Sequence, residues 1–592
     1  MGRQELRNIK KTAFTLLFAL SIGLTNKSFA IEMPIGANSF DPGVIDQKNL
    51  IEMKQYEERK RIEQEEQAEE KILMEKKVFE ELENLPKADT VFRLNTINFK
   101  GNTVFTEEEL LELFCDKIET DVTLADILQT VSKITSMYHN QGYISSLAYV
   151  PPQRIEDGNV EIVIVEGKYG NITLEGNKWS RDKYIRKQFL EDNGLEAGKI
   201  LNIKDVQNSL HELNSVGYLK GAITLQDNEE SVELTDVVYE AKDRFPFKLD
   251  LRFDNQGRSE IGLNRFSIFT GMHNLTGFGD QLLSTTTLGR HSTSQGVFYS
   301  VPFAKKESKL NLGYSYSGTR LGDYGPIERV RGKSHNFFIG ASRRLIETDT
   351  YKMYGDISLD IRNTKTLARF NGRDDNEIGY PYNTRNIRLS LSNIKDDFYG
   401  KWFGNVGASF GIPWFDADDT YYSFEHNKSQ PCNKAIKLNA NIARLQVLPW
   451  RSLGVFQLNG QWANRGLWYS EKMQVGGISS VRGYQEAFSL GDYGVTASAE
   501  FRFPIPFFGR VLPQKLKFLD ESIRLAAFYD FGWFGDRYAD YDSDYLMSVG
   551  GGLVLKLTKY MSGNVYFGVP VGKKPEDASN MRVHFTVTSN IL

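Results

Sequence analysis

The residue types that most often carry catalysis are present in this chain, but their spacing does not indicate an active site. The seven histidines are scattered, with no pair at metal-ligand spacing. The sequence contains no Gly-x-Ser-x-Gly elbow and no glycine-rich phosphate loop. Acidic pairs such as Asp374-Asp375 lie in predicted loops, where solvated charge is the simpler interpretation. We therefore predict no enzyme activity, no cofactor and no metal site.

The stretch with the most distinctive local chemistry is the glycine-rich run 476–484, which ends in Val481-Arg482-Gly483-Tyr484. A guanidinium can make two parallel, charge-assisted hydrogen bonds to one carboxylate. Glycines at 476, 477 and 483 allow the backbone to bend and to approach another surface closely. Taken alone, the pattern favours an exposed loop arginine with a solvated partner. Whether Arg482 has a structural role therefore depends on the strands and helices that flank this loop.

The N-terminal thirty residues are typical of a secretory signal. Basic residues between Arg3 and Lys11 precede an apolar core, Thr12 to Thr25, and Ser28-Phe29-Ala30 predicts cleavage after Ala30. The core is shorter than the roughly 20 residues of a spanning helix. After Ala30 no apolar run approaches that length, so the mature chain is either soluble or a β-barrel, whose strands are short and alternating.

Charge and cysteine content narrow the possible partners. Lysine and arginine (72) nearly balance aspartate and glutamate (76), giving a net charge of −4, which argues against a nucleic-acid binder. The two cysteines, Cys115 and Cys432, lie far apart and indicate neither a disulfide nor a metal site.

Residues 31–90 form a leader with two parts. Residues 31–45 contain Pro34, Gly36 and Pro42 and predict a flexible segment. Residues 46–85 lack glycine and are dense in Glu, Lys, Arg and Gln, which predicts a solvated helix. This helix is either a spacer, an exposed linker, or an element lodged in a wet cavity.

Residues 91–168 and 169–243 predict two copies of one α+β unit, each ordered strand–helix–helix–strand–strand. In the first copy, Thr106 and Glu109 form a capping box before one helix, and apolar residues from Leu124 to Ile134 mark a second helix. Ile172–Asn177 echoes Ile97–Asn102, and Gly217-Tyr218 echoes Gly142-Tyr143. The unit resembles the polypeptide-transport-associated (POTRA) domain, and Val165-Glu166-Gly167 resembles its version in two-partner secretion transporters.

From Phe247 onward helical patterns disappear and apolar and polar residues alternate, as in a sheet with one oily and one wet face. Residues 244–592 therefore predict a 16-stranded antiparallel transmembrane β-barrel. We expect long connections near 320–334, 362–383, 411–435 and 464–492, on the side away from the repeated units. Strands are expected to begin near residues 247, 262, 280, 295, 309, 335, 353, 384, 402, 436, 454, 493, 522, 546, 562 and 582.

Motifs within the predicted barrel resemble the two-partner secretion outer-membrane transporters (TpsB family, haemolysin secretion/activation type). They include a first inner turn containing Asn274, Leu275, Gly277, Gly279 and Asp280, the sixth-loop motif Val481-Arg482-Gly483-Tyr484, and Phe528-Tyr529-Asp530. The resemblance implies that Arg482 reaches into the barrel lumen and pairs with Asp530, beside Phe528.

The resemblance also implies the function and the place of the protein. We expect a pore in the outer membrane of a Gram-negative bacterium, surrounded by lipid, with its POTRA domains in the periplasm. Its expected partner is an unfolded, secreted exoprotein that it recognises and exports. The alternatives are a barrel-assembly insertase of the same superfamily, which shares the arginine loop, and a passive porin. The two repeats and the leader favour the transporter.

Overall fold

The structure, a computed structural model, describes seventeen stretches of the chain. They are residues 42, 45–48, 52–53, 72–74, 91–216, 218–228, 231, 233–304, 308–321, 327–348, 350–370, 378–417, 433–505, 522–537, 543–558, 560–572 and 579–591. The predicted signal peptide and its cleavage position Ala30 lie outside the described residues.

The leader contributes two described pieces. Residues 42, 45–48 and 52–53 are helical, and we call them the leader segment. Strand β1 (Ile72–Met74) lies further along the chain, inside the range 46–85 predicted as one helix. That prediction was wrong at β1, because an apolar triplet beside an open sheet edge is stabilised more by pairing with that edge than by weak helix propensity. The rest of that range lies outside the described residues.

The first α/β unit follows the predicted order except for a short additional strand between its two helices, and it has its own apolar core. It consists of β2 (Val91–Arg93), β3 (Thr96–Lys100), a helix (Glu107–Leu111) with a 3₁₀ turn (Glu112–Phe114), β4 (Asp121–Thr123), a helix (Leu124–Asn140), β5 (Leu147–Tyr149) and β6 (Asn159–Val165). Thr106–Glu109 and Thr123–Asp126 both form capping boxes. The sheet order is β3-β6-β5, so β5 is an edge strand.

One predicted strand of this unit is divided in the structure. The alternation through 92–99 predicts a single strand, but β2 pairs with β4 whereas β3 pairs with β6 in a different sheet. The chain breaks at Leu94, which is fully buried, and Asn95, whose amide donates to the Gly158 carbonyl (2.8 Å). Alternation alone does not show which sheet a strand joins.

The second α/β unit repeats the arrangement. It contains β7 (Lys168–Glu175), a helix (Asp182–Ile185) continued by a π-helical turn (Arg186–Leu190) and a 3₁₀ turn (Glu191–Asn193), a helix (Ile203–Ser215), β8 (Leu219–Asp227) and β9 (Leu234–Asp243). Its sheet order is β1-β8-β9-β7. The leader strand β1 runs parallel to β8, with Ile72 opposite Ile223, so part of the leader completes this sheet.

Backbone hydrogen bonds join the two units at the glycines of the repeated motifs. The Ile203 amide donates to the Gly142 carbonyl (2.9 Å), and the Leu201 amide donates to the Gly167 carbonyl (2.8 Å). Gly142 has φ +101°, and a Cβ there would lie 2.5 Å from the Asn202 side chain. Glycine is therefore required for this close junction.

The C-terminal part is a closed barrel of 16 antiparallel strands, which confirms the predicted fold class. Each strand pairs with its sequence neighbour in the barrel, and the last strand pairs with the first. The strands are β10 (Phe247–Asp254), β11 (Arg265–His273), β12 (Gln281–Gly289), β13 (Ser292–Ala304), β14 (Ser308–Leu321), β15 (Ile327–Thr348), β16 (Tyr351–Phe370), β17 (Ile378–Asp397), β18 (Gly400–Gly411), β19 (Ile436–Leu448), β20 (Ser452–Ala463), β23 (Tyr493–Pro504), β24 (Ile523–Gly535), β25 (Asp544–Thr558), β26 (Met561–Pro570) and β27 (Arg582–Asn590), with the short β21 (Met473–Val475) and β22 (Ser489–Gly491) inside one loop.

The two faces of the barrel wall have opposite character. Buried polar side chains face the lumen, among them Ser267, Thr287, Ser317, Ser334 and Asp530. Exposed apolar and aromatic side chains face outward, among them Phe337, Trp402, Leu438, Trp462 and Phe567. A polar interior and an apolar exterior are the reverse of a soluble barrel and are those of a barrel in lipid.

Among the described residues, no helix combines the length and the apolar character needed to cross a membrane.

Two of the four predicted long connections are instead mostly strand. β15, β16 and β17 contain 22, 20 and 20 residues, and they cover most of 320–334 and 362–383. At the end away from the α/β units, β17 begins at Ile378, whereas its pairing with β18 begins only at Asn386. Gly379 and Pro381 interrupt the sequence there, so it lacks the regular pattern by which we located strands. Hydrogen bonding between neighbouring strands extends the wall beyond its apolar band.

The barrel closes where β10 meets β27. Five residue pairs form this seam, from Asp250↔Asn590 to Asp254↔Thr586. The side chain of Asn255 extends it, because its amide donates to the Val583 carbonyl (2.7 Å) and its oxygen accepts from the Phe585 amide (2.9 Å). A side chain thus supplies ladder hydrogen bonds where the strand ends.

Candidate functional site in the barrel lumen

The glycine-rich arginine lies on a loop that folds into the barrel. This loop, residues 464–492 between β20 and β23, contains a 3₁₀ turn (Tyr469–Glu471) and the antiparallel pair β21 and β22. We call it the arginine loop. Its tip turns at Gly476 and Gly477, which have φ of +105° and +100° and have no room for a Cβ. The Ile478 amide donates to Glu486 Oε1 (2.8 Å), which fixes the shape of the tip.

The structure brings Arg482 and Asp530 together. Arg482 Nε donates to Asp530 Oδ2 (2.9 Å) and Nη2 donates to Oδ1 (2.7 Å), which is the bidentate geometry of a guanidinium and a carboxylate. The Arg482 backbone amide also donates to Oδ2 (3.0 Å). Both side chains are buried, with Asp530 fully enclosed. This is the arrangement that the resemblance implies, and the arginine is not solvated.

A second carboxylate on the neighbouring strand completes the arginine's shell. Glu500 accepts a hydrogen bond from Arg482 Nη1, and Tyr566 donates to Glu500 at 2.9 Å. The guanidinium carbon lies over the Phe528 ring, 3.6 Å from its centroid. One cation therefore contacts β23 and β24 of the wall directly and is linked to β26 through Tyr566.

Gly483 allows the loop to touch the wall. A Cβ on Gly483 would lie 2.7 Å from Ser548 Cβ and 2.9 Å from the Pro570 nitrogen. Gly568 on β26 faces it, because a Cβ there would lie 2.5 Å from the Arg482 carbonyl oxygen. Val481 and Tyr484 are buried on either side and pack with Val475 and Leu546. In this motif Val481 and Tyr484 pack in an apolar cluster, Arg482 pairs with Asp530, and Gly483 allows close contact with the wall.

The predicted family turn lies at the opposite end, where it binds the second α/β unit. Asn274 Nδ2 donates to Ser180 Oγ (2.6 Å), and the Gly277 carbonyl accepts from the Arg181 amide (3.0 Å). Asp280 Oδ1 accepts from the Thr276 amide and holds the turn's shape. Gly279 faces the hydroxyls of Tyr184 and Tyr218, and Leu275 stays exposed. The turn therefore attaches the repeats to the barrel.

No cluster of His, Cys, Asp and Glu suited to a metal ion occurs among the residues that the structure describes.

Comparison with known families assigns this architecture. Residues 233–555, more than half of the 592-residue chain, match the family described as haemolysin secretion/activation protein ShlB/FhaC/HecB. Residues 92–167 match the ShlB-type POTRA domain. The chain belongs to the ShlB/FhaC/HecB family. It is an outer-membrane transporter of the two-partner secretion type, with its POTRA region in the periplasm, as the sequence predicted.

Individual relatives of this transporter are distant in sequence but similar in fold. The heme/hemopexin transporter protein HuxB of Haemophilus influenzae is 24% identical over 506 residues, 83% of this chain and 86% of the relative. The outer membrane transporter CdiB of Dickeya dadantii is 24% identical, over 68% of this chain and 71% of the relative. The structure of CdiB from Escherichia coli has a TM-score of 0.67 at 19% identity, covering 95% and 100% of the two chains. BamA from Haemophilus ducreyi lacking POTRA domains 1–3 has a TM-score of 0.53 at 15% identity, covering 84% of this chain and 100% of that chain.

The leader segment of this transporter lies inside the lumen. Lys48 Nζ contacts Glu486 Oε2 of the arginine loop at 2.8 Å and donates to the Gln256 carbonyl at 2.8 Å. Glu52 Oε1 pairs with Arg265 Nη2 on β11 at 3.1 Å. Of the three alternatives left open by the sequence, these described residues occupy the wet cavity. A polar helix is compatible with burial here because the lumen wall supplies matching charges.

Several residues of this site were missed in the sequence. Glu500 and Ser498 share the inward parity of β23, and the strand register places Ser498 opposite Asp530 and Glu500 opposite Phe528. Their inward-facing positions on a predicted strand are the signal by which the sequence could have identified them. His584 Nε2 contacts the Arg482 carbonyl oxygen at 2.8 Å, from a strand about a hundred residues away. No local pattern points to that contact.

Proposed function

We propose that this protein recognises an exoprotein in the periplasm and passes it, unfolded, through the barrel lumen to the cell surface. The observation that carries the proposal is the closed barrel whose lumen holds two polar elements, the arginine loop and the leader segment. Both contact the wall by hydrogen bonds and ion pairs rather than by a continuous apolar core. A passing chain can offer polar groups in place of these contacts, whereas the strands of the wall keep their own ladder hydrogen bonds, so the two elements can be rearranged without unfolding the barrel.

Recognition is proposed to occur at the first α/β unit, around residues 107–150. Its edge strand β5 lies beside the helix Leu124–Asn140, and Tyr149 is exposed. An extended chain can add to such an edge through main-chain hydrogen bonds. The Ala148 amide is held by Thr135 Oγ1 (3.0 Å), so an incoming strand would have to displace this side-chain contact.

The domain division belongs to the same proposal. It comprises a signal peptide in 1–30, a leader in 31–90, POTRA domains in 91–168 and 169–243, and the barrel in 244–592. The exposed apolar belt of the barrel is proposed to contact outer-membrane lipid. We further propose that the protein acts without catalysis, cofactor or nucleic acid.

The test is a secretion assay in a bacterium that lacks its own transporters of this type. The protein is co-expressed with the product of its neighbouring gene as the candidate exoprotein, which is measured in the medium and in the periplasm. Export that requires the full chain is expected, with barrel proteins of the host inserted at normal levels. Retention of the exoprotein in the periplasm, together with better insertion of host barrels, would instead indicate an insertase.

A further inference from the structure

A second buried charge on the arginine loop has a set of partners of its own. The tip at Gly476 and Gly477 divides the arginine loop into a first limb, residues 464–475, and a second limb, residues 478–492. Glu471 ends the 3₁₀ turn on the first limb and is 5% exposed. Its Oε1 contacts Arg388 Nη2 at 2.9 Å and Arg362 Nη1 at 3.4 Å. Its Oε2 contacts Lys437 Nζ at 2.5 Å. Three cations from β16, β17 and β19 thus surround one carboxylate.

The backbone of the same limb is held by the same side chains. Arg362 Nη1 donates to the Ser470 carbonyl (3.2 Å), and Lys437 Nζ donates to the Glu471 carbonyl (3.2 Å). Gln461 on β20 donates to that carbonyl as well (3.2 Å). Arg362 and Lys437 therefore bind the backbone of the loop as well as the Glu471 carboxylate.

An aromatic stack adds to the attachment. The Trp468 ring lies parallel to Tyr382 on β17, with centroids 4.8 Å apart and planes 2° apart. Both rings are buried. The first limb is consequently fixed to a section of wall, β16 to β20, that Arg482 does not contact.

The two attachments have opposite polarity. On the second limb a loop cation, Arg482, is held by wall carboxylates on β23 and β24. On the first limb a loop carboxylate, Glu471, is held by wall cations. Each is a buried ion cluster, in which removal of one member leaves uncompensated charge and is strongly destabilising.

We propose that Glu471 is a second anchor of the arginine loop, which positions the first limb independently of Arg482. Arg362 makes this anchor sensitive to the leader segment, because its Nε also faces Asp46 Oδ2 at 3.5 Å. Departure of the leader removes one anion from the cluster, while Glu471 retains its hold on Arg388 and Lys437. The anchor thus keeps the loop attached when the lumen is vacated.

The test uses two cysteine reporters in a background in which Cys115 and Cys432 are replaced by serine. Ser470→Cys reports on the first limb and Ser480→Cys on the second, since both serines are buried. Each reporter is combined with Glu471→Gln or with Arg482→Ala in the purified full-length protein. The measured quantity is the rate of labelling by a bulky, charged maleimide.

Glu471→Gln is expected to speed labelling of Ser470→Cys about tenfold or more and to leave Ser480→Cys nearly unchanged, with Arg482→Ala giving the opposite pattern. Lys437→Met added to Glu471→Gln should restore part of the protection, because it removes a cation left without its partner. If Glu471→Gln exposes both reporters equally, or neither, the independent anchor is wrong. Labelling does not require export, so it tests the anchor even if the proposed function fails. Secretion of the exoprotein, measured in parallel, should fall several-fold in Glu471→Gln.

Discussion

Arg482 shows how one side chain can hold a loop against a wall. Its guanidinium makes four hydrogen bonds, to Asp530, Glu500 and Ser498, and lies over the Phe528 ring. Lysine could supply the charge but neither the fork nor the stacking. The identity of the residue matters as much as its charge.

Replacement of either member of the central pair should impair export without removing the barrel. Arg482→Ala leaves Asp530 buried without its cation and leaves Glu500 with Arg502 alone, and Asp530→Ala leaves the arginine with one carboxylate, a change of roughly 3–5 kcal/mol at such a site. We expect several-fold less exoprotein in the medium. Heat-modifiable migration of the barrel in gels should stay normal. Arg482→Lys is expected to recover export only partly, and wild-type secretion by both alanine variants would contradict a role for the pair.

Gly483 offers a sharper steric prediction. Alanine there places a methyl 2.9 Å from the Pro570 backbone nitrogen, which cannot move as a flexible side chain could. Overpacking of this kind costs on the order of 1–3 kcal/mol. The loop should shift, which a nearby cysteine reporter would detect as faster labelling. The matched control is Gly460→Ala on β20, where a Cβ would meet no atom closer than 3.9 Å; equal behaviour of the two variants would refute the explanation.

Among the individual residues, the sequence identified Arg482 and Asp530 only through a family resemblance. Composition alone favoured a solvated arginine, because glycine-rich loops are usually exposed. Glu471 carried no signal at all: it is one glutamate in a loop, and its three cations come from strands up to about a hundred residues away. Convergence of distant strands is a property of the closed barrel and not of any local window.

Among the elements, the first α/β unit depends on a buried carboxylate in its terminal motif. Glu166 accepts hydrogen bonds from the Thr103 and Val104 amides (2.7 and 2.9 Å) and from the Tyr138 hydroxyl (2.8 Å). Burial raises the pKa of Glu166, but the hydrogen bonds from Thr103, Val104 and Tyr138 outweigh that effect and hold the pKa below its ordinary value of 4.5. The motif thereby ties the last strand to the turn after the first.

This geometry predicts an acid-sensitive contribution to stability. Because the folded pKa is lowered, the contribution is complete above the unfolded value near 4.5 and is lost as the pH falls through the folded pKa. Glu166→Gln should destabilise the unit by about 1–3 kcal/mol at neutral pH and should flatten its pH dependence below 4.5. Urea titrations followed by the helical circular dichroism signal, at pH 7 and pH 3.5, measure both. Exposed Glu107→Gln is the control, and an unchanged acid dependence in the Glu166 variant would contradict the argument.

The elements themselves were well predicted where alternation was strong. Observed barrel strands begin close to the predicted positions, for example at Phe247, Ile436 and Tyr493. The prediction failed where glycine and proline interrupt the pattern, as at the start of β17, and where a leader triplet joins a sheet edge. In both cases partners far along the chain decide the conformation.

At the scale of the whole molecule, the barrel wall is closed. A closed wall allows export through the lumen without opening of the seam, whereas release through the side would require the seam to open. The Leu249 carbonyl accepts from the Ile591 amide at 2.8 Å, so the seam residues of the same parity, including Leu251 and Ser589, are hydrogen-bonded pairs. Such pairs have Cα atoms about 5.5 Å apart, which suits a disulfide.

A disulfide across the seam should therefore leave export intact. Leu251→Cys and Ser589→Cys, introduced together with both native cysteines replaced, are expected to cross-link on oxidation and to secrete the exoprotein within about twofold of the reduced protein. Each single cysteine variant serves as control. Loss of export on oxidation that is reversed by a reductant would show that the seam must open.

The pairing of β1 with β8 has a kinetic consequence. Met53 lies in the lumen and Ile72 on the second α/β unit, so only residues 54–71 join a lumen occupant to a fixed point beside the barrel. A short tether makes the occupant's return an intramolecular event, with an effective concentration on the order of millimolar. In the proposed export, a passing chain would compete with an occupant that stays attached beside the barrel. Return of the leader segment would then not depend on how much protein the membrane contains.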